Sequence, residues 1–251
     1  MSRYVLAALV AACAIATAAP AVASAGAGHR HDPAHLPNLV SVAPQVVVIG
    51  QADDRSGPAL RFNYATANVG AAPLDIMAEV TGEELAPAHQ CVRWAAPRVC
   101  LAREEVGGIQ WHEPHGHFHF EDYAQYELRR VDASGRPVMD DDGLVRTSEK
   151  ISFCLIDSDK HSEADPAYAT PFYVSCIARA GWQGITPGYQ DIYHYGRTGQ
   201  QIPLTGIDDG VYALVFTVDP DGLLFESDRS DNTSHALVRI RNGTVRIVEA
   251  P

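Results

Sequence analysis

From Leu36 onward, apolar residues recur at every second position or in short runs, and each run is broken by glycine, proline or aspartate. That periodicity belongs to strands; an amphipathic helix would repeat its apolar positions every three or four residues. The pattern predicts strands over Val46–Ile49, Leu60–Ala67, Pro73–Ala78, His115–Tyr123, Tyr126–Val131, Lys150–Ile156, Gly210–Val218, Ser234–Ile240 and Val245–Val248. Between them, clusters such as Asp132-Ala133-Ser134-Gly135 and Asp219-Pro220-Asp221-Gly222 supply residues that accept tight-turn dihedrals. The expected architecture is all-β: a single β-sandwich-like domain with long irregular loops that carry the chemistry, the longest of them running from 157 to 209. At 251 residues one core suffices.

The N-terminus reads differently. Arg3, the apolar run from Tyr4 to Ala18 and the small residues Ala21-Val22-Ala23-Ser24-Ala25 form an export signal over residues 1–25. A flexible His-rich leader follows over 26–35, with His29, His31 and His35, and then the folded domain over 36–251. A secreted protein without stable membrane insertion is expected; the alternative, a lipid anchor on Cys13, rests on the Val10-Ala11-Ala12-Cys13 run. Beyond the signal lie Cys91, Cys100, Cys154 and Cys176, an even number that in an exported chain points to two disulfides. Neighbour pairing, Cys91 with Cys100 and Cys154 with Cys176, would contribute about 3 kcal/mol per bridge; the other connectivities stay open.

A net charge of -12 opposes binding to nucleic acid and favours cationic partners. Almost all the positive charge is arginine, because the chain has only two lysines, Lys150 and Lys160. A guanidinium cannot act as an amine nucleophile at neutral pH, so either lysine raises a question of chemistry.

The most informative segment is Trp111-His112-Glu113-Pro114-His115-Gly116-His117-Phe118-His119-Phe120. On a helix, residues two apart point away from each other; on a strand they share a face, so His115, His117 and His119 line one side while Phe118 and Phe120 fill the other. Along a straight strand the outer pair would sit roughly 13 Å apart, near the limit for sharing one ion. A bend at Pro114 or Gly116 is therefore expected. His112 falls on the other parity and reads as structural or as support for a ligand. Three imidazoles suit copper or zinc, and Glu113, Glu121 and Asp122 are near enough to fix their tautomers.

Together with its surroundings this run resembles the copper-binding segment of the lysyl oxidases. Lys150-Ile151-Ser152-Phe153-Cys154-Leu155 is similar to the family's cofactor-lysine strand. Gly181-Trp182-Gln183-Gly184-Ile185-Thr186-Pro187-Gly188, followed by Asp191-Ile192-Tyr193, is similar to its cofactor-tyrosine segment. Leu36-Pro37-Asn38-Leu39-Val40 and Phe225 to Asn232 resemble the opening of the catalytic domain and its late acidic turn. The resemblance spans roughly residues 36 to 240 and makes residues 36–251 a lysyl oxidase-like catalytic domain without the long extensions of animal members.

What this likeness implies is specific. His115, His117 and His119 would hold copper, and Lys150 and Tyr193 would form lysyl tyrosylquinone. Asn38, Leu39 (through its carbonyl), Glu226, Asp228, Asp231 and Asn232 would hold a structural calcium through hard oxygen donors. The activity would be oxidation of a primary amine, peptidyl lysine or a small amine, by molecular oxygen, giving aldehyde, ammonia and hydrogen peroxide. There are departures. Pro114 stands where animal enzymes have cysteine, the usual partner of Cys154 is missing so that a Cys154 to Cys176 bridge is expected, and Gln125 stands where they carry a histidine. The base is left among Asp122, Glu121 and Asp191. Two other readings of the same histidines are a copper-binding sandwich without catalysis, and a zinc hydrolase with Glu113 or Glu121 as base.

Overall fold

The computed structural model describes residues 31–80, 82, 84–113, 115–148, 151–177 and 181–249. The expected export signal, Cys13, the first half of the expected leader (26–30), Pro114 and Lys150 lie outside these residues.

In chain order the strands are β1 (Leu39–Val42), β2 (Val47–Gln51), β3 (Pro58–Phe62), β4 (Tyr64–Asn68), β5 (Leu74–Ala78), β6 (Ala86–Ala96), β7 (Val99–His112), β8 (His117–Arg129) and β9 (Leu144–Thr147). They continue with β10 (Ile151–Phe153), β11 (Asp159–Lys160), β12 (Trp182–Ile185), β13 (Tyr189–Tyr193), β14 (Gln201–Pro203), β15 (Gly210–Val218), β16 (Thr233–Arg241) and β17 (Thr244–Ile247). The helical content of the described residues is three short 3-10 turns, and no helix among them is long and apolar enough to cross a membrane.

The large sheet runs β12-β5-β6-β7-β8-β15-β16-β17, with β10 and β9 also paired to β8; a second runs β1-β4-β13-β11 and a third β14-β3-β2. The core lies between them. Leu39, Tyr64 and Tyr193 from the second sheet and Leu60, Phe62 and Ile202 from the third meet Ile76, Phe120, Tyr126, Leu128 and Phe216 from the first. Tyr64 stacks on Phe216 at 5.3 Å, and Phe62 meets Tyr126 edge-on at 4.9 Å. Each such aromatic contact adds about 0.5–1.5 kcal/mol beyond the apolar area it removes from water. This is the all-β, sandwich-like domain that the periodicity predicts.

Three expectations are corrected. The expected strands at His115–Tyr123 and Tyr126–Val131 are one strand, β8, and the break read between them is an irregularity: Asp122 takes a φ of 54°, and Ile151 to Phe153, three residues of β10, lie opposite Ala124 to Phe120, five of β8. The long hairpin β6–β7 has no counterpart among the expected strands. Its ladder shifts register at several points and much of it is exposed, so its apolar positions change parity and the period of two disappears. The stretch 157–209 is not irregular either: it holds β11 to β14. Asp157 organises it, since its carboxylate accepts from the amides of Phe172, Tyr173 and Thr186 and from the Thr186 hydroxyl. Such bonds join residues far apart in sequence and leave no local pattern.

Both neighbour-paired disulfides are present. Cys91–Cys100 ties β6 to β7, and Cys154–Cys176 ties the end of β10 to the loop before β12. The last leader residues form the 3-10 turn Pro33–His35, capped by Asp32, and His35 Nδ1 accepts from the Trp94 amide of β6 at 3.4 Å.

Candidate metal centre and its neighbours

The β7–β8 hairpin builds the histidine cluster. His112 and His117 are the last cross-strand pair, and the amides of His115 and Gly116 both donate to the His112 carbonyl, at 3.0 and 2.8 Å. Gly116 takes a φ of +68°, the left-handed conformation that closes such a turn cheaply for a residue without a Cβ. His115 therefore lies in the turn rather than on a strand, and the turn supplies the bend that three histidines on one ion require.

The ring nitrogens converge. His115 Nδ1 lies 3.2 Å, and His117 Nε2 3.0 Å, from His119 Nε2. Two imidazole nitrogens bound to one ion at about 2.0–2.1 Å with an angle between square and tetrahedral are roughly 3 Å apart, so the trio has the spacing of a ligand set. His119 is 1% exposed, and burial, reinforced by the neighbouring imidazoles, holds its pKa down to about 2. Burial also lowers His117. Neutral rings are what metal ligation needs.

His112 joins the cluster across the hairpin. Its ring stacks on His119 at 4.2 Å, and its nitrogen falls with those of His115 and His119 in a group spanning no more than 4.8 Å. Its Nε2 also lies 3.2 Å from Ser152 Oγ and 3.4 Å from Glu121 Oε1. The parity argument that set it apart assumed one continuous strand; directly opposite residues of a hairpin share a face. Ser152, which sequence reasoning did not single out, touches His119 Nδ1 at 3.2 Å as well, and so fixes two imidazoles at once. Burial raises Glu121 to about 7. Glu113 is turned elsewhere, accepting from Trp111 Nε1 at 2.8 Å.

Tyr193 lies one strand away. Its hydroxyl accepts from the Cys154 amide at 2.7 Å, and its ring packs on Phe153 at 3.9 Å. Burial, then the charge of Asp191, pushes its pKa well above the usual phenol range. Ser152 faces the imidazoles while Phe153, its neighbour on β10, packs against Tyr193, so the strand separates phenol from histidines. Tyr193 makes no hydrogen bond or ring contact with any of the four imidazoles. Asp191 is 1% exposed; it accepts from Ser158 Oγ, its other carboxylate oxygen has no partner, and burial raises it to about 8. Asp122 is exposed.

A second group forms where β1 meets the loop before β16. Glu226 accepts from the Leu39 amide at 2.9 Å and from Asn232 Nδ2 at 2.8 Å, and Asn38 Nδ2 donates to Asp231 at 3.0 Å. Three buried oxygens there have no hydrogen-bond partner: Asn38 Oδ1, Asp231 Oδ1 and Asn232 Oδ1. Asp228 stands apart, accepting from the Ser230 amide in its own exposed turn.

The sequence model of the lysyl oxidase family matches residues 101–250, more than half of the chain, including the segments around Lys150 and Tyr193. The chain belongs to the lysyl oxidase family. It is 33% identical over 131 residues to protein-lysine 6-oxidase of Sus scrofa, covering 52% of this chain and 46% of that one. To lysyl oxidase homolog 3A of Danio rerio it is 33% identical over 123 residues, and to lysyl oxidase homolog 3 of Homo sapiens 32%; these cover 49% of this chain and 14% of each of those. The matched segments thus span less than half of these lysyl oxidases. Asn38, Leu39, Cys91 and Cys100 fall before the family match.

Proposed function

We propose that this protein is a secreted copper amine oxidase whose cofactor is lysyl tyrosylquinone made from its own Lys150 and Tyr193. The observation that carries the reading is the convergence of His115, His117 and His119 beside β10. That strand touches His119 through Ser152, runs directly into Cys154, whose amide donates to the Tyr193 hydroxyl, and begins one residue after Lys150. Family membership supports it.

His115, His117 and His119 would hold the copper, with Ser152 and His112 keeping the rings oriented. Copper and the quinone would supply the electron sink that takes two electrons from the substrate carbon and returns them to molecular oxygen. The net reaction converts a primary amine, oxygen and water to aldehyde, ammonia and hydrogen peroxide. The protein's own task begins with Tyr193, whose phenol must leave the Cys154 amide and pass the edge of β10 to meet Lys150 and the metal. Asp191 then stands on the same face of β13 as Tyr193, a protonated carboxyl at neutral pH with one free oxygen, placed to hold a proton near the ring.

The grouped oxygens of Asn38, Glu226, Asp231 and Asn232 are a calcium site in this reading. Unpartnered buried oxygens cost free energy unless a cation completes them, and hard donors of this kind suit calcium. Leu39 would add its carbonyl, and Asp228 would join by turning from Ser230.

Peptide mapping of copper-loaded, aerated protein is the test. A cross-linked peptide joining the Lys150 and Tyr193 fragments, with phenylhydrazine-sensitive visible absorption, is expected. Tyr193→Phe and Lys150→Arg should each abolish peroxide release from a primary amine with copper binding largely kept. Unlinked, unmodified peptides would instead indicate a metal-binding sandwich or a zinc hydrolase.

A further inference from the structure

The hairpin β16–β17 turns through Asn242 and Gly243, whose φ angles of 49° and 71° are those of a two-residue turn with both positions left-handed. The turn is fastened: both carboxylate oxygens of Asp209 accept from the Asn242 amide, at 2.9 and 3.1 Å, and the Thr244 hydroxyl donates to the Arg241 carbonyl at 2.7 Å. Register and the period of two then fix where three arginines go. Arg239 stands directly opposite Arg246, and Arg241 lies two residues along from Arg239, so all three share one face of the hairpin. Their Cβ atoms are about 5 Å apart across the strands and roughly 7 Å apart along β16. All three residues are exposed, and their side chains make no hydrogen bond or ion pair among the described residues. Like charges placed opposite each other cost stability, so the hairpin is less stable for carrying them.

Together with Asn242, Thr244 and Val245 the three arginines line a cavity of about 460 Å³, and no carboxylate is part of that lining. In a chain with 31 acidic and 19 basic residues this is a local inversion of charge. Arg239 also lines a neighbouring groove of about 320 Å³, where Val131, Val211, Leu237 and Val248 supply an apolar surface. The carboxylates near this face are mostly engaged. Asp209 is bound to the Asn242 amide, and Asp132, beside the groove, pairs with Arg136 at 3.3 Å. Glu249 also lines the groove.

We propose that this face is a docking surface for a short acidic segment of another protein, its carboxylates taken by Arg239, Arg241 and Arg246 and its apolar side chains by the groove beside them. A planar guanidinium grips a carboxylate with two parallel hydrogen bonds, and three that lack partners within the protein are free to do so. The overall charge selects among anions. Screening confines the attraction of the arginines to about 8–10 Å, and beyond that the protein's net negative charge opposes any further anionic group. A long polyanion, nucleic acid or sulfated polysaccharide, meets both fields; a short segment with neutral or basic flanks meets the arginines alone. A sulfated polysaccharide also brings nothing apolar to the groove. The proposal is independent of the amine oxidase reading.

The test uses the full chain and a short fluorescein-labelled peptide in which glutamate and leucine alternate, read by anisotropy at low salt. It should bind roughly tenfold more tightly than the same peptide with glutamine for glutamate, the sum of a few screened ion pairs, and the difference should shrink at high salt. Serine in place of its leucines should weaken it severalfold. Arg239→Glu and Arg246→Glu should each remove most of the preference for glutamate, while Glu249→Gln should strengthen it. Either reversal turns a like-charged cross-strand pair into an opposite one, so melting temperatures should not fall and lost binding is not unfolding. Arg93→Glu, at an exposed arginine of β6, changes the net charge equally and should leave binding as in the wild type. Equal binding of the glutamate and glutamine peptides, indifference to the leucines, or an equal loss in Arg93→Glu overturns the proposal. So does tight binding of a heparin-derived oligosaccharide or a single-stranded oligonucleotide by protein that ignores the glutamate peptide.

Discussion

Asp191 shows how one buried side chain can govern behaviour with pH. Its carboxyl is raised to about 8 from 3.8 because burial penalises the charge, and Ser158 only partly offsets that. In the folded state it keeps its proton to higher pH than in the unfolded chain, so its contribution to stability is complete below about pH 4 and is lost as pH rises toward 8. The loss can reach about 1.4 kcal/mol per pH unit across that window. Asp191→Asn keeps the neutral shape and should flatten the decline: thermal melts of the two proteins should agree near pH 4 and diverge above it, the variant melting higher. Melts that stay parallel from pH 4 to 8 would mean Asp191 is ionised in the folded protein. The same scale explains the histidines. The sequence shows four imidazoles close together, but that His112 faces His119 follows from the hairpin turn and the Ser152 hydroxyl, neither of which the spacing of histidines reveals.

At the scale of elements, β10 is short and does several things at once. It pairs with β8, positions Ser152 against two imidazoles, and presents the Cys154 amide to Tyr193. The Cys154–Cys176 bridge closes its far end. Replacing both of these cysteines by serine should cost about 3 kcal/mol of stability from chain entropy alone, and replacing Cys91 and Cys100 slightly less, since the loop is shorter. The two double variants should differ in another readout. Loss of the Cys154 bridge should lower the yield of cross-linked Lys150–Tyr193 peptide well beyond its effect on melting, whereas loss of the Cys91 bridge should not; equal yields would remove β10's role in placing the tyrosine. β10 was legible because Ile151, Phe153 and Leu155 alternate. β13, which carries Tyr193, was hidden because Asp191 and Tyr193 are buried polar residues and read as loop.

For the whole molecule, the oxygens around Glu226 join the start of β1, the first described strand, to the turn that leads into β16. Calcium added to metal-free protein should raise the melting temperature, by an amount equivalent to about 2.7 kcal/mol at a hundredfold excess over its dissociation constant. Asn232→Ala should reduce that gain, and magnesium, which resists losing its water, should give little of it. An unchanged melting temperature with calcium would leave the three unpartnered oxygens without a cation.

The sequence by itself determined the fold class, because a period of two is imposed residue by residue wherever a strand has one buried face. It also marked the histidines from 112 to 119 as candidate metal ligands, because side-chain donors are fixed by residue type. The tertiary structure alone decided the position of His112, the contact of Ser152 with two imidazoles, and the separation of Tyr193 from the imidazoles. Each of these depends on distances between segments far apart along the chain, set by how three sheets pack and by where bulges shift the register, and no local pattern encodes such distances.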